Sequence, residues 1–361
     1  MSVSIKDLRG AALIEALSLE FGPSGCEDRV RELIKSAAEP LADKAIVDRM
    51  GNLICKMSFG KCENKTKIMI SAHMDEVGFI IKSVEDDGSV KFILDGGIDS
   101  KVLAGRSVVL FNEENIIKGV IDSKAIHSLS PEERKEALTP DKLYINVGAT
   151  KAEQVTALVD VGDYGTFDSD FVLFGENDKM MKSKAIDDRL GCAAMIEVMR
   201  KLREDNVKLP YDLYFAFTVR EEIGNSGAQT VAQTVRPDFA IVLETTAIAD
   251  IAGVPKSSRV GDVGEGGVIS LMDRSTIYNR DFVDLALDVA KKNNIKAQVK
   301  RYVSGGNDAG HIHKSGSGVK SLAISAPTRY LHSACCVAAC DDYFAIKDLV
   351  FAILASRKLE K

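Results

Sequence analysis

No stretch of the sequence approaches the roughly 20 apolar residues needed to cross a bilayer, which excludes a helical membrane protein. No run of Lys and Arg resembles a phosphate-binding stripe, and a net charge of -6 argues against nucleic acid or an anionic membrane as partner. The first 21 residues carry Lys6, Asp7 and Arg9 and lack an uninterrupted apolar core, so no signal peptide is predicted and the expected location is cytoplasmic. Internal repeats and low-complexity linkers are missing as well. The seven cysteines (Cys26, Cys55, Cys62, Cys192, Cys335, Cys336 and Cys340) are odd in number and hold neither a CxxC pair nor zinc-site spacing. They read as reduced structural thiols, and any metal must find its ligands elsewhere.

What is present reads as a soluble globular protein, with 45% hydrophobic and 28% charged residues. At 361 residues the chain exceeds the usual reach of one core, so two domains are expected. Leu13, Leu17 and Phe21 have helix spacing, ended by Gly-Pro-Ser-Gly at 22–25, and EDRVRELIKSAAEPL predicts a second helix with Val30, Leu33 and Ile34 on one face. KIMISA at 67–72 predicts a buried strand running into His73 and Asp75. From about Val77 to Phe174 short alternating runs (GFIIKSV, SVKFIL, SVVLF, IIKGVID) lie between turn signals, which is the pattern of a small all-β unit. Beyond Met180, helical LGCAAMIEVMRKL and FVDLALDVAKKN alternate with the apolar runs DLYFAFTV, FAIVLE and VKSLAISA. That alternation predicts an α/β sheet whose sequence is interrupted by the β-rich insert.

Polar clusters sit where these runs end. His73 and Asp75 follow KIMISA, Glu221 and Glu222 follow DLYFAFTVR, Glu244 ends FAIVL, and His332 comes just after VKSLAISAPTRY. Asp187 and Asp188 precede the helix that begins near Leu190. Residues at the carboxyl ends of strands in an open α/β sheet converge on one crevice, so clusters far apart in sequence are expected to meet. Two histidines with several carboxylates suit zinc, cobalt or manganese better than calcium or an iron–sulfur cluster. A pair of ions needs a carboxylate shared between them. Of the adjacent Glu221 and Glu222, one can bind metal while the other holds the proton of an attacking water. Asp188 can equally serve as an ordinary acidic residue in a helix's first turn.

AHMDEVGF, AIDDRLG, REEIGNSGA, GGNDAGHIH and PTRYLHS, in that order, resemble the glutamyl-aminopeptidase family of co-catalytic metallopeptidases. The family includes tetrahedral and deblocking aminopeptidases and some members that bear an endoglucanase name. Weaker matches at FGPSGCEDRVRELI and DRMGNLI extend the resemblance over nearly the whole chain. It implies a mixed-sheet α/β catalytic domain, residues 1–76 and 175–361, with an inserted β-barrel-like (PDZ-like) domain at 77–174. It implies two divalent ions per subunit, zinc or cobalt with manganese as the alternative. Asp187 would bridge them; His73 and Glu244 would complete one, Glu222 and His332 the other. Glu221 would be the general base, and Asp75 would fix the tautomer of His73. Short peptides would be the substrates and a homo-oligomer, commonly a dodecamer, the assembly. Two positions depart from the family pattern: Glu244 stands where Asp is frequent, and Ala334 stands where proline commonly follows the serine. His313 is expected to support the site and His127 to lie on the surface. The alternatives are a metal-dependent deacylase of N-acyl amino acids, a glycan hydrolase working through a carboxylate pair without metal, or an inactive scaffold.

Overall fold

The computed structural model describes residues 4–59, 65–112 and 115–359; Cys62 lies outside them. The chain opens with α1 (Gly10–Leu19), α2 (Asp28–Ala38), β1 (Lys44–Val47), β2 (Leu53–Met57) and β3 (Lys67–His73). Next come β4 (Gly78–Val84), β5 (Val90–Asp95), β6 (Ser107–Phe111), β7 (Ile116–Asp122), β8 (Tyr144–Asn146), the short α3 (Ala152–Thr156) and β9 (Tyr164–Phe167). The α/β alternation returns with β10 (Val172–Phe174), β11 (Met180–Ser183), α4 (Ile186–Glu204), β12 (Asp212–Thr218), α5 (Ser226–Val235) and β13 (Phe239–Ala247). It ends with β14 (Gly267–Ile269), α6 (Arg280–Lys292), β15 (Ala297–Val299), α7 (Ala309–Ile312), β16 (Lys320–Thr328), β17 (Cys336–Ala339) and α8 (Cys340–Ala355).

Eight strands form one sheet in the order β1-β2-β12-β3-β13-β16-β14-β15. Its centre, β12-β3-β13-β16, is parallel, whereas β2 joins β12 and β14 joins β16 antiparallel. The sheet is therefore mixed. Parallel strands covered on both faces read as unbroken apolar runs, and every residue of β3 after Lys67 is buried. Helix α4 is buried on nearly all sides from Ile186 to Arg200, the condition of a helix inside a large core. Helix α6 is amphipathic instead, burying Phe282, Val283, Ala286, Val289 and Ala290.

The insert is a closed six-stranded antiparallel barrel, β4-β5-β8-β7-β6-β9. Its strands alternate because one face meets the interior and the other meets water. In β7, Gly119 and Ile121 are buried while Lys118, Val120 and Asp122 are exposed. The barrel has its own core, in which Phe79 meets Phe92 and Phe167 edge-on at centroid distances of 5.2 and 5.3 Å. Closure leaves no free strand edge.

The barrel's last strand ends at Phe167, short of the expected insert boundary at 174. Val172–Phe174 pairs with β11, and β11 pairs with β17 near the C-terminus. A three-residue strand has too little periodicity to reveal its partner in the sequence. At the other junction Glu76 is buried between the two units. It accepts from Lys184 Nζ at 2.6 and 2.8 Å, from the barrel's Thr166 Oγ1 at 2.8 Å and from Gly22 N at 3.2 Å.

Candidate active site

Strand register brings the first ligand candidates together. Thr218 of β12 pairs with His73 of β3, and Val242 of β13 pairs with Ser71. The same offset carried two residues on sets Glu244 beside His73. Glu244 thus lies within β13, three residues before its end at Ala247. Asp187 and Asp188 depart from helical φ/ψ at the head of α4, so the regular helix begins after them. His332 stands four residues past β16 in the left-handed region at φ 55.

The five expected ligands meet at one place. His73 Nε2 is 3.3 Å from Asp187 Oδ1 and 3.8 Å from Glu244 Oε2. His332 Nε2 is 3.4 Å from Asp187 Oδ2 and 3.2 Å from Glu222 Oε2. The two oxygens of Asp187 therefore face two separate histidine–carboxylate groups.

Backbone carbonyls set both rings. His73 Nδ1 lies 3.1 Å from the Asp75 carbonyl oxygen, and His332 Nδ1 lies 2.8 Å from that of Gly97 in the barrel. With Nδ1 protonated and donating to those carbonyls, each Nε2 lone pair is aimed at carboxylate oxygens. Two acceptors face each other there, an arrangement that only a proton or a metal ion between them makes favourable. The carboxylate of Asp75 is 3.5 Å from His73 Nδ1. It accepts from Ser24 Oγ at 2.6 Å and from the backbone N–H groups of Glu221 and Glu222, each at 3.1 Å. Asp75 thereby holds the turn that separates the two glutamates. Glu222 points to His332, and Glu221 Oε1 accepts from Asn225 Nδ2 at 2.8 Å.

Charge at the centre is unbalanced. Burial, with the Asp187 charge adding to it, pushes the Glu222 carboxyl well above the usual range; burial does the same to Glu244. Glu221 is pushed up to about 7, chiefly by burial. Burial also opposes ionisation of Asp187, yet His332 and His73 hold it well below the usual carboxylate range. His332 is raised to about 10, its burial outweighed by Asp187 and Glu222. Asp187 Oδ1, Asp188 Oδ2 and Glu244 Oε1 are buried without a hydrogen-bond partner among the described residues. Crowded carboxylates with orphaned oxygens require cations or protons between them. The nitrogen and oxygen donor set fits a divalent transition ion.

Asp188 does both things its sequence position allows. Its Oδ1 accepts from Gly191 N at 3.0 Å in the helix's first turn, and the carboxylate joins His73 and Glu244, with ligand atoms within 4.8 Å of one another. A Cβ at Gly191 would lie 2.4 Å from Asp188 Oδ2, so only glycine leaves room. Ser24, Gly97, Asn225 and Asp308 were not singled out by the sequence. Gly97 acts through its carbonyl, which no side-chain pattern reports.

A family model described as M42 glutamyl aminopeptidase matches residues 51–349. The chain belongs to the M42 glutamyl aminopeptidase family. It is thus a peptidase, a hydrolase, of a metal-dependent family, and its histidine and acidic groups stand close enough to hold metal. Its structure is similar to a TET aminopeptidase from Thaumarchaeota archaeon SCGC AB-539-E09, with a TM-score of 0.92 and 34% identity over 96% of each chain. Pyrococcus horikoshii TET1 peptidase, described as able to assemble into a tetrahedron or a large octahedral shell, matches at a TM-score of 0.83. That match has 33% identity and covers 94% of this chain and 98% of TET1. The glutamyl aminopeptidase of Lactococcus lactis subsp. cremoris strain MG1363 is 28% identical over 352 residues, 96% of each chain.

Other features of this M42 chain fall outside the centre. His127 is exposed in the barrel segment, and His313 Nδ1 lies 2.7 Å from the Ala309 carbonyl in its own turn. Six described cysteines are free. Around Ala334 hydrogen bonds take the place of a rigid proline: Ser333 Oγ donates to Tyr330 O and accepts from Cys335 N, and Ser169 Oγ donates to Ala334 O at 2.6 Å. Among the described residues no helix is long and apolar enough to cross a membrane.

Proposed function

We propose that this M42 chain is a metal-dependent aminopeptidase that removes residues from the N-termini of short peptides, with Glu221 as general base. The observation that carries the reading is Asp187, whose two oxygens face His73 with Glu244 on one side and His332 with Glu222 on the other. Two divalent ions, zinc or cobalt with manganese as the alternative, would be held by those two groups, and when bound they supply Lewis acidity to the scissile carbonyl and to water. Glu221 has one oxygen held by Asn225, leaving the other to take a proton from the attacking water. The same carboxyl then returns that proton to the amine nitrogen released as the C–N bond breaks. Asp75 orients His73 through its carbonyl and the Glu221–Glu222 turn through its carboxylate. The free amine of the substrate suits the surplus carboxylates of the centre, which favours cleavage at the chain end.

Assembly into a homo-oligomer, a dodecamer in particular, is part of the proposal. TET1's ability to form closed shells supports it, as does the exposure of Val172, Leu173 and Phe174 on the edge strand β10. A closed shell would admit only short or unfolded peptides. Light scattering on the purified chain reads the oligomer directly.

The activity is tested with a panel of aminoacyl-p-nitroanilides, using metal-free protein and protein reloaded with zinc, cobalt or manganese. Turnover that needs metal, and that falls by about 10²- to 10⁴-fold in Glu221→Gln, is the expected result. Turnover of N-acyl substrates alone, with free-amine substrates untouched, would establish a deacylase instead.

A further inference from the structure

The motif REEIGNSGA contributes Glu221 and Glu222 to the site, and it also carries Asn225, which meets Asp308 of the GGNDAG motif. Asn225 Nδ2 donates to Glu221 Oε1 at 2.8 Å and to Asp308 Oδ1 at 3.1 Å. Thr218 Oγ1 donates to the other Asp308 oxygen at 2.7 Å. A side-chain amide has two N–H donors and one acceptor oxygen. Here the NH₂ group serves two carboxylates, and turning the amide over would present its oxygen to both. The Asp308 carboxylate therefore decides which way Asn225 faces, and Asn225 decides where Glu221 Oε1 rests.

The anchor behind this pair is built as carefully. Asp308 is 1% exposed and immediately precedes α7. Its neighbour Asn307 accepts from Ala309 N at 2.8 Å and donates to Tyr278 Oη at 3.1 Å. Tyr278 Oη in turn donates to Asp273 Oδ2 at 2.6 Å. Asn225 itself occupies the left-handed region at φ 58, which asparagine tolerates better than most side chains. Burying a carboxylate is costly unless it is hydrogen-bonded, and Asn225 and Thr218 are the side chains that supply those bonds to Asp308.

We propose that Asn225 and Asp308 are positioning residues for Glu221, with Asp308 fixing the Asn225 amide so that it holds the Glu221 carboxylate where the proton is taken. The proposal rests on the reading of Glu221 as general base. It concerns orientation, so it predicts losses in kcat and leaves substrate binding and metal content alone.

Three variants of the full, metal-loaded chain test it. Asn225→Gly keeps the left-handed backbone and deletes the amide; kcat should fall by roughly 10- to 100-fold, the scale of a misplaced catalytic group. KM and metal content should stay within about twofold, and the thermal midpoint should show the protein folded. Asp308→Ala removes the oxygen that accepts from the Asn225 amide and fixes which way it faces, and kcat should fall by a similar factor. The double variant decides between positioning and a general structural role. With Asn225 gone, Asp308→Ala has no route to Glu221, so it should cause no further loss of kcat.

Additive losses in the double variant, or losses seen in KM or metal content with kcat unchanged, would overturn the proposal. Glu221→Gln separates it from the reading beneath it. If Glu221→Gln keeps its activity, the general-base assignment fails; if it is inactive while Asn225→Gly turns over normally, only the positioning role fails.

Discussion

The sheet and the barrel bury apolar side chains by different patterns, and they give different things to the site. Strands β3, β13 and β16 are buried along almost their whole length because helices cover both faces. Barrel strands such as β6 and β7 bury every second residue, because their outer face meets water. The ligand candidates come from the sheet, the turns beyond its strands and the head of α4. The barrel supplies one backbone oxygen, that of Gly97, to the ring of His332. Interior strands that end at a crevice can bring charged side chains out of a rigid, dry core, where they keep their places. The small barrel carries none of the candidate ligand side chains. Its contribution is made by where its loop is held.

That comparison breaks if the barrel proves unable to fold apart from the sheet's support. Phe79→Ala removes the ring at the middle of the barrel core and should cost about 3–5 kcal/mol. Hydrogen exchange should then rise throughout 78–167 while amides of β3 and β13 stay protected. Loss of protection in both units together would show one cooperative core instead of two.

A somewhat smaller effect is expected at the seam. Lys184→Met takes away the main charge partner of buried Glu76, leaving Arg189 at 3.5 Å. Leaving a buried charge poorly paired should cost about 3 kcal/mol. Adding Glu76→Gln should recover most of it, as calorimetry on the single and double variants would show. No recovery would mean that packing, not charge, joins the two units.

The smallest effect sharpens the claim that the barrel acts on the site through its backbone. Gly96 has φ 91, and a Cβ there would lie 2.7 Å from Val77 Cγ1. Gly96→Ala should displace the loop that carries the Gly97 carbonyl. On the proposed two-ion reading, affinity for the ion at His332 should fall by about tenfold, the scale seen when a group orienting a ligand is lost. Metal titration followed by elemental analysis measures this, and unchanged affinity for both ions would leave the barrel no part in the site.

Much of this protein could be read from its sequence. KIMISA, DLYFAFTV, FAIVLE and VKSLAISA are strands β3, β12, β13 and β16, and GFIIKSV to IIKGVID are the first four strands of the barrel. Most candidate ligands stood out for a related reason: they are charged or polar residues at or just beyond the end of an apolar run. The short strands β8, β14, β15 and β17 were not legible, since three or four residues carry almost no period. Strands β1 and β2 at one side of the sheet were equally silent: β1 is set by pairing with β2, and β2 by pairing with β12, more than by a pattern of their own.

Side-chain type and period, then, were determined by the sequence alone: which segments are buried, which face of each strand meets water, and which residues are able to bind metal or carry a proton. Only the tertiary structure decided who meets whom. The register that sets Glu244 beside His73, the carbonyl of Gly97 behind His332 and the amide of Asn225 between two carboxylates all depend on partners distant in the chain. Periodicity is a local property of the backbone, whereas hydrogen-bond partners and opposing charges are chosen by packing, and packing exists only once the chain has folded.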